Sequence, residues 1–281
     1  MGTALVAAFA DREVLTPAHA ELDLENPTAL EAFLDGSQPA LLINCAAFHN
    51  VDACEREPAR ALAVNALAVD AAAAACAARD VAFATISTDY VFDGTLGRAY
   101  REDDAPNPRT AYGVSKLAGE LLTRRHGKKH FVFRASGVFG TVGTSNKGYT
   151  LIEKVLQQAA RRETTRMVSD MVFSPTYAPH AARAIRDVVD AGAYGTHHIT
   201  NVGACSWYEF VRTAFIKADF GEAPLEPISY SSLGNPTPRP MYSPLENTTF
   251  ARAGIAPMPA WESALDAFLI ARRSRLAASE V

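Results

Sequence analysis

Three short apolar runs, residues 40–45, 81–87 and 131–135, are continuous rather than alternating. A strand covered on both faces shows no polar side, so this pattern predicts buried parallel strands. Between them lie stretches of good helix formers: residues 58–79, rich in Ala, Leu and Val, and residues 111–125, which follow a Pro-rich loop. Strands alternating with helices predict an α/β fold with a doubly wound, Rossmann-type parallel sheet. Beyond Tyr149 the rhythm changes. Residues 150–162, 178–191 and 207–218 read as helices and 195–201 as a strand, whereas 221–244 is proline-rich and reads as an ordered loop over a pocket. The expected organisation is a sheet domain at 1–149 and a smaller C-terminal lobe at 150–281, with 173–203 returning to the sheet domain.

Composition narrows the function classes. The 281 residues are 48% hydrophobic and 21% charged, enough to build a sizeable core without disulfides. The net charge of -4, with Lys and Arg scattered, argues against a nucleic-acid partner. No run of eighteen uncharged apolar residues occurs, so no membrane span is expected; the alanine-rich run 71–78 is bounded by Asp70 and Arg79. The N-terminus lacks a secretory pattern. Cys45, Cys54, Cys76 and Cys205 lack metal-type spacing and read as thiols of a reducing cytoplasm, and no metal is expected.

The sharpest chemical feature is Tyr112-Gly-Val-Ser-Lys116 at the start of a predicted helix. A spacing of four puts phenol and ammonium on one helical face, where the cation is expected to lower the phenol pKa from about 10. Such a tyrosine can protonate a carbonyl oxygen as hydride reaches its carbon. The run 81–87 leads directly into Thr88, Asp89 and Tyr90, and ligands of doubly wound sheets bind beyond the carboxyl ends of strands. Thr88 is thus placed to hydrogen-bond the same carbonyl. Arg239, in the Pro-rich segment, suits a diphosphate. His197 and His198, adjacent in a predicted strand, face opposite sides and cannot chelate together. His49, Cys45 and Cys54 read as packing, and Glu102, Asp103 and Asp104 as a solvated loop run.

The segment Ile86-Ser-Thr-Asp-Tyr-Val-Phe-Asp-Gly94, followed by Tyr112-Gly-Val-Ser-Lys-Leu-Ala-Gly-Glu120, resembles the extended short-chain dehydrogenase/reductases. Within them the chain is similar to the dTDP-4-dehydrorhamnose reductase group. Further matches follow in family order: Asn44-Cys-Ala-Ala-Phe48, Val64-Asn65, Arg134-Ala-Ser136, Ser174-Pro-Thr-Tyr177, Ser206-Trp-Tyr208 and Arg239-Pro240. The resemblance implies NADPH-dependent reduction, with NADH as the alternative, of a 4-keto group on a nucleotide-linked sugar. It implies catalysis by Thr88, Tyr112 and Lys116. Cofactor contacts fall to Gly2, Asp23, Leu24, Ala46, Ala47, Phe48 and Asn65 together with Tyr112 and Lys116, and substrate contacts to Thr88, Asp89, Gly137 and Arg239. A nucleotide-sugar substrate and a homodimer are the partners it suggests. Related dehydratases carry Asp-Glu after the threonine; here Asp89 and Tyr90 follow, which favours plain ketone reduction. A non-catalytic subunit of the same fold, like the regulatory subunit of methionine adenosyltransferase, is the rival from another class, and an epimerase or dehydratase of nucleotide sugars is a second rival.

The chain departs from the family pattern at the phosphate turn, at the second strand and in the sugar site. Gly2 aligns with the last glycine of the phosphate-binding turn, so the first strand and two earlier glycines are absent from this sequence; the expectation is that they lie upstream of Met1. The second strand is expected at residues 13–16, followed by Pro17-Ala18-His19 with no acid to bind a ribose 2′-hydroxyl, which leans towards NADPH. Gly137 stands where rhamnose-forming enzymes usually have a tryptophan and is expected to open volume in the sugar site, and Met171 replaces a common glutamine.

Overall fold

The computed structural model describes residues 1–143, 150–234 and 237–279. Helix α1 (Gly2–Ala8) opens the chain, followed by α2 (Pro27–Ser37), whose Asn26 cap accepts the Ala29 amide at 3.1 Å. Strand β1 (Leu41–Asn44) leads into α3 (Val51–Arg56), then α4 (Pro58–Leu62), a π-helical turn (Ala63–Leu67) and α5 (Ala68–Ala77). Strand β2 (Ala82–Thr88), a 3-10 turn (Asp89–Val91), α6 (Ala111–Arg125) and β3 (His130–Ala135) complete the pattern anticipated for the first half.

The second half continues with β4 (Val138–Phe139), α7 (Leu151–Ala160), β5 (Thr165–Val168), β6 (Val172–Phe173) and β7 (Thr176–Tyr177). Helix α8 (Ala178–Asp190) and β8 (Gly195–His198) return to the sheet. They are followed by β9 (Cys205–Ser206), α9 (Trp207–Lys217), β10 (Leu225–Ile228), a 3-10 turn (Tyr230–Leu233), α10 (Thr249–Arg252) and α11 (Trp261–Ser279).

The main sheet has the order β1-β2-β3-β8, parallel throughout. One core packs α2 and α5 around Leu30, Leu34, Val69 and Phe83, and another packs α1 and α8 around Leu5, Phe131, Phe133 and Ile185. Helices on both faces make the sheet doubly wound, as the apolar runs predict. A separate core of α7, α9 and α11 is built on Phe139, Leu156, Phe210, Trp261 and Phe268.

Four expectations need correction. Residues 13–16 form no strand: they are exposed, and among the described residues no strand pairs with the outer edge of β1, so no ladder is offered to them. The helix over 58–79 is interrupted by the π turn at Asn65. Helix Pro58–Ala77 is, by length and composition, apolar enough to cross a bilayer, contrary to the reading of the bare runs; half of its apolar window is buried, against α2, α6 and β2. The loop 221–244 is not all loop, because β10 pairs in parallel with β5.

Candidate active site

Three local devices bring the site together. Thr88 ends β2 in an extended conformation, and its Oγ1 caps the following 3-10 turn by accepting the Tyr90 amide at 3.2 Å. Thr110 caps α6 in the same way, accepting the Gly113 amide at 2.9 Å, and so sets Tyr112 in the first turn and Lys116 one turn on. Glycines let α6 approach its neighbours. A Cβ on Gly113 would lie 2.2 Å from the Tyr90 carbonyl oxygen, and one on Gly119 2.2 Å from that of Asn65.

The approach brings Tyr112 beside Thr88 and Asp89, with the Tyr90 ring edge-on to it at 5.7 Å. Lys116 is only 4% exposed and makes no hydrogen bond or ion pair among the described residues. Burial pushes its pKa down to about 8, partly opposed by the Glu120 carboxylate one turn below. Tyr112 departs from the expected direction: burial drives its pKa up, and the neighbouring Thr88 hydroxyl only partly offsets this. The phenol thus stays protonated, which is the form that a reduction consumes.

Beside this pair lies the loop after β1. Asn44 Oδ1 accepts the Ala46 amide at 2.9 Å. From the π turn, Asn65 Oδ1 accepts the Phe48 amide at 2.9 Å, while its Nδ2 donates to the Phe48 carbonyl and to Ser115 on α6. Asn65 therefore fixes the loop 46–48 to the catalytic helix. Met1, at the start of α1, and Lys116 both lie within electrostatic reach of the Cys45 thiol. Gly2, Ala46, Ala47, Phe48, Asn65 and Lys116 are thereby gathered at the carboxyl end of β1. Asp23 and Leu24 stand apart: Asp23 Oδ1 accepts the Glu25 amide at 3.0 Å, and Leu24 packs on the α2–α5 core.

Asp89 lies beneath Thr88 and is only 4% exposed. Its Oδ1 accepts from Thr88 Oγ1 at 3.2 Å and its Oδ2 from Ser243 Oγ at 2.6 Å. Burial pushes its carboxyl up to about 6 despite these donors. Arg239 lies beside the Tyr90 hydroxyl and reaches Asp52 at 3.4 Å, an acceptor it shares with Thr237 at 2.8 Å, while its buried Nε has no partner among the described residues. Gly137 opens no volume. At φ +48° a Cβ there would meet the Phe173 ring at 2.1 Å, and that ring stacks on Trp207 at 3.9 Å. An aromatic from the C-terminal half fills the place, which is why the glycine is required.

Other residues resolve plainly. His197 bonds Thr249 and the Ala193 carbonyl, and His198 bonds the Glu246 carbonyl; among the described residues no metal-type cluster occurs. Cys45 is exposed and Cys54 donates to the Phe48 carbonyl. Glu102 is not a solvated loop acid: its carboxylate accepts from Thr248 and Thr249 and from the His198 amide. Sequence reasoning also missed Ser243, Asp52 and Phe173. Ser243 lies four residues beyond Arg239, a signal of position only.

Comparison with known proteins agrees with this geometry. The model of the RmlD substrate binding domain matches residues 1–273. The chain is 37% identical to the spore coat polysaccharide biosynthesis protein SpsK of Bacillus subtilis, over 84% of this chain and 81% of the relative. It is 32% identical to a dTDP-4-dehydrorhamnose reductase of Streptomyces griseus, over 87% and 81%. The structure of dTDP-4-dehydrorhamnose reductase from Bacillus anthracis in complex with NADP superposes with a TM-score of 0.90 at 30% identity, covering 96% of this chain and 94% of that one. A protonated phenol, a threonine hydroxyl and a buried lysine at the strand ends of this fold are the parts of an oxidoreductase. The chain belongs to the RmlD substrate binding domain family.

Proposed function

We propose that this protein reduces the 4-keto group of a nucleotide-activated deoxysugar with NADPH. The observation that carries the reading is Tyr112 set beside Thr88 with Lys116 one turn away, all at the carboxyl ends of parallel strands. Residues present suit the nicotinamide end of such a cofactor. Lys116 is a buried donor without a partner, Asn44 Nδ2 is another, and the small side chains of Ala46 and Ala47 leave the adjoining loop open. When bound, NADPH supplies the hydride. Thr88 and Tyr112 hold the ketone oxygen, and Tyr112 gives it a proton.

Lys116 and Asn65 position the nicotinamide half, and Gly2, Ala46, Ala47 and Phe48 complete that side, while Asp23 and Leu24, set apart from them, are left to the adenine end. Thr88, the Asp89 turn and Arg239 make the substrate side, with Phe173 filling the place at Gly137 and Arg239 exchanging Asp52 for a diphosphate. A cytoplasmic location fits four free thiols, and a homodimer is the assembly to test by light scattering.

Tyr112→Phe tests the assignment. Turnover should fall at least about a thousandfold, the upper range for a lost proton donor, while NADPH binding by calorimetry stays within a few-fold. Retained turnover refutes it. A wild-type chain that binds NADPH but recovers a stoichiometric enzyme partner, and oxidises no cofactor with a 4-keto sugar nucleotide, points instead to the non-catalytic subunit.

A further inference from the structure

Lys116 and Glu120 stand four residues apart on α6, so their side chains share one face of the helix. Both are buried: Lys116 is 4% exposed and Glu120 is 0% exposed. An ammonium and a carboxylate so placed, with little water to screen them, attract strongly and ordinarily close into an ion pair. Here they do not. The ion pairs of Glu120 run to Arg124 and Arg134, and Lys116 has no partner among the described residues.

The reason lies in what already occupies the carboxylate. A carboxylate offers about four lone-pair sites. Four hydrogen bonds reach this one, from three side chains. Ser87 Oγ, near the end of β2, donates to Oε1 at 2.5 Å. Arg134, on β3, grips both oxygens side-on, Nε to Oε1 at 2.9 Å and Nη2 to Oε2 at 2.7 Å. Arg124, one turn along α6, donates to Oε2 at 3.2 Å. Arg134 is itself fixed: it is 1% exposed, and its guanidinium lies over the Phe92 ring at 5.1 Å.

We propose that Arg134 and Ser87 are positioning residues for the reduction: by saturating Glu120 they keep its carboxylate from capturing Lys116, whose ammonium stays free for the cofactor and Tyr112. The proposal rests on the reductase reading above. The carboxylate anchors α6 to β2 and β3, yet must not reach the lysine on the same face. Arg134 and Glu120 also cancel each other's charge beside Lys116. Facing the lysine are Glu120 on its own helix and Cys45 after β1; facing Glu120 are Arg134 on β3, Arg124 on α6 and His198 on β8.

The test compares losing the guanidinium alone with losing both members of the pair. Arg134→Met keeps the stem and empties two sites of the carboxylate. Adding Glu120→Gln removes the carboxylate too, so the net charge around Lys116 returns to that of the wild type. On ligand-free protein, NMR of 13C-labelled lysine follows the Lys116 titration, its signal identified by its loss in Lys116→Met. Burial holds that titration near 8 in the wild type. In Arg134→Met it should rise by at least about one pH unit, and in the double variant it should return to within about half a unit. In kinetics, Arg134→Met should lose at least about tenfold in kcat and in NADPH affinity. The double variant should recover to within about threefold of wild type. Ser87→Ala opens one site only and serves where Arg134→Met does not fold; it should show a smaller rise and about a threefold loss, both reversed by Glu120→Gln.

A plain structural clamp gives no such rescue. A Lys116 titration that stays in place, or a double variant as impaired as the single, overturns the proposal and leaves Arg134 and Ser87 as packing for α6. The titration needs no turnover, so the two readings fail separately. A wild-type protein that reduces no 4-keto sugar nucleotide ends the reductase reading and with it any positioning for reduction. An unmoved titration in an active enzyme ends the positioning role alone.

Discussion

At the scale of a residue, burial sets the protonation of the groups in the site. Lys116 illustrates the cost. Its folded pKa near 8 lies below the ordinary 10.5, so between those values the unfolded chain keeps a proton that the folded protein has released. Stability should therefore rise with pH across that window, and below it the full penalty for burying the ammonium is present. Lys116→Met keeps the stem and deletes the charge. It should abolish reduction and raise the unfolding free energy at pH 7 by roughly 3 kcal/mol, with the high-pH rise gone. Urea titrations at pH 7 and pH 10 check both statements, and a variant less stable than wild type at pH 7 contradicts them.

At the scale of an element, α6 is seated by the absence of side chains. Gly119 lies against the Asn65 carbonyl of the π turn, and Gly113 against Tyr90. Gly119→Ala, normally a gain in helix propensity, should here destabilise by about 1–3 kcal/mol, because backbone rather than a flexible side chain occupies the space. Chemical denaturation measures it; a neutral or stabilising result would mean that the π turn yields. Thr88, Tyr112, Lys116 and the strands β1, β2, β3 and β8 are legible in sequence because their signals are local: a four-residue spacing, a continuous apolar run, a strand end. The π turn is not legible, since an i to i+5 bond leaves the composition of 58–79 unchanged. The strand expected at 13–16 fails for a different reason, as pairing depends on a neighbour and not on the four residues themselves. The direction of the Tyr112 shift is likewise invisible, because the spacing to Lys116 reports proximity to a charge and says nothing about burial.

At the scale of the whole molecule, residues 237–248 are stitched to the sheet domain by many bonds, three of them from hydroxyls to an exposed, a buried and a half-buried carboxylate. Thr237 donates to Asp52 at 2.8 Å, Ser243 to Asp89 at 2.6 Å, and Thr248 to Glu102 at 2.6 Å. His198 belongs to the third stitch. Burial pushes its pKa down to about 4, against the pull of Glu102 and with the help of Arg134. Its unfolded form therefore binds the proton first, and stability should fall as pH drops from 6.5 through 4, by roughly 3 kcal/mol at the limit. His198→Gln, unable to take that proton, should flatten the slope of Tm against pH in this window; an unchanged slope would assign acid sensitivity elsewhere.

The bond between Asp89 and Ser243 joins residues 154 positions apart. During synthesis the threonine, tyrosine and lysine of the reaction leave the ribosome early, and a domain can fold as soon as its own residues have emerged. The acid beneath Thr88 must then wait for more than a hundred further residues before Ser243 arrives. Maturation of the site is thus timed by the end of translation, and a nascent chain stalled before residue 243 carries the three reacting groups without the contact that completes them.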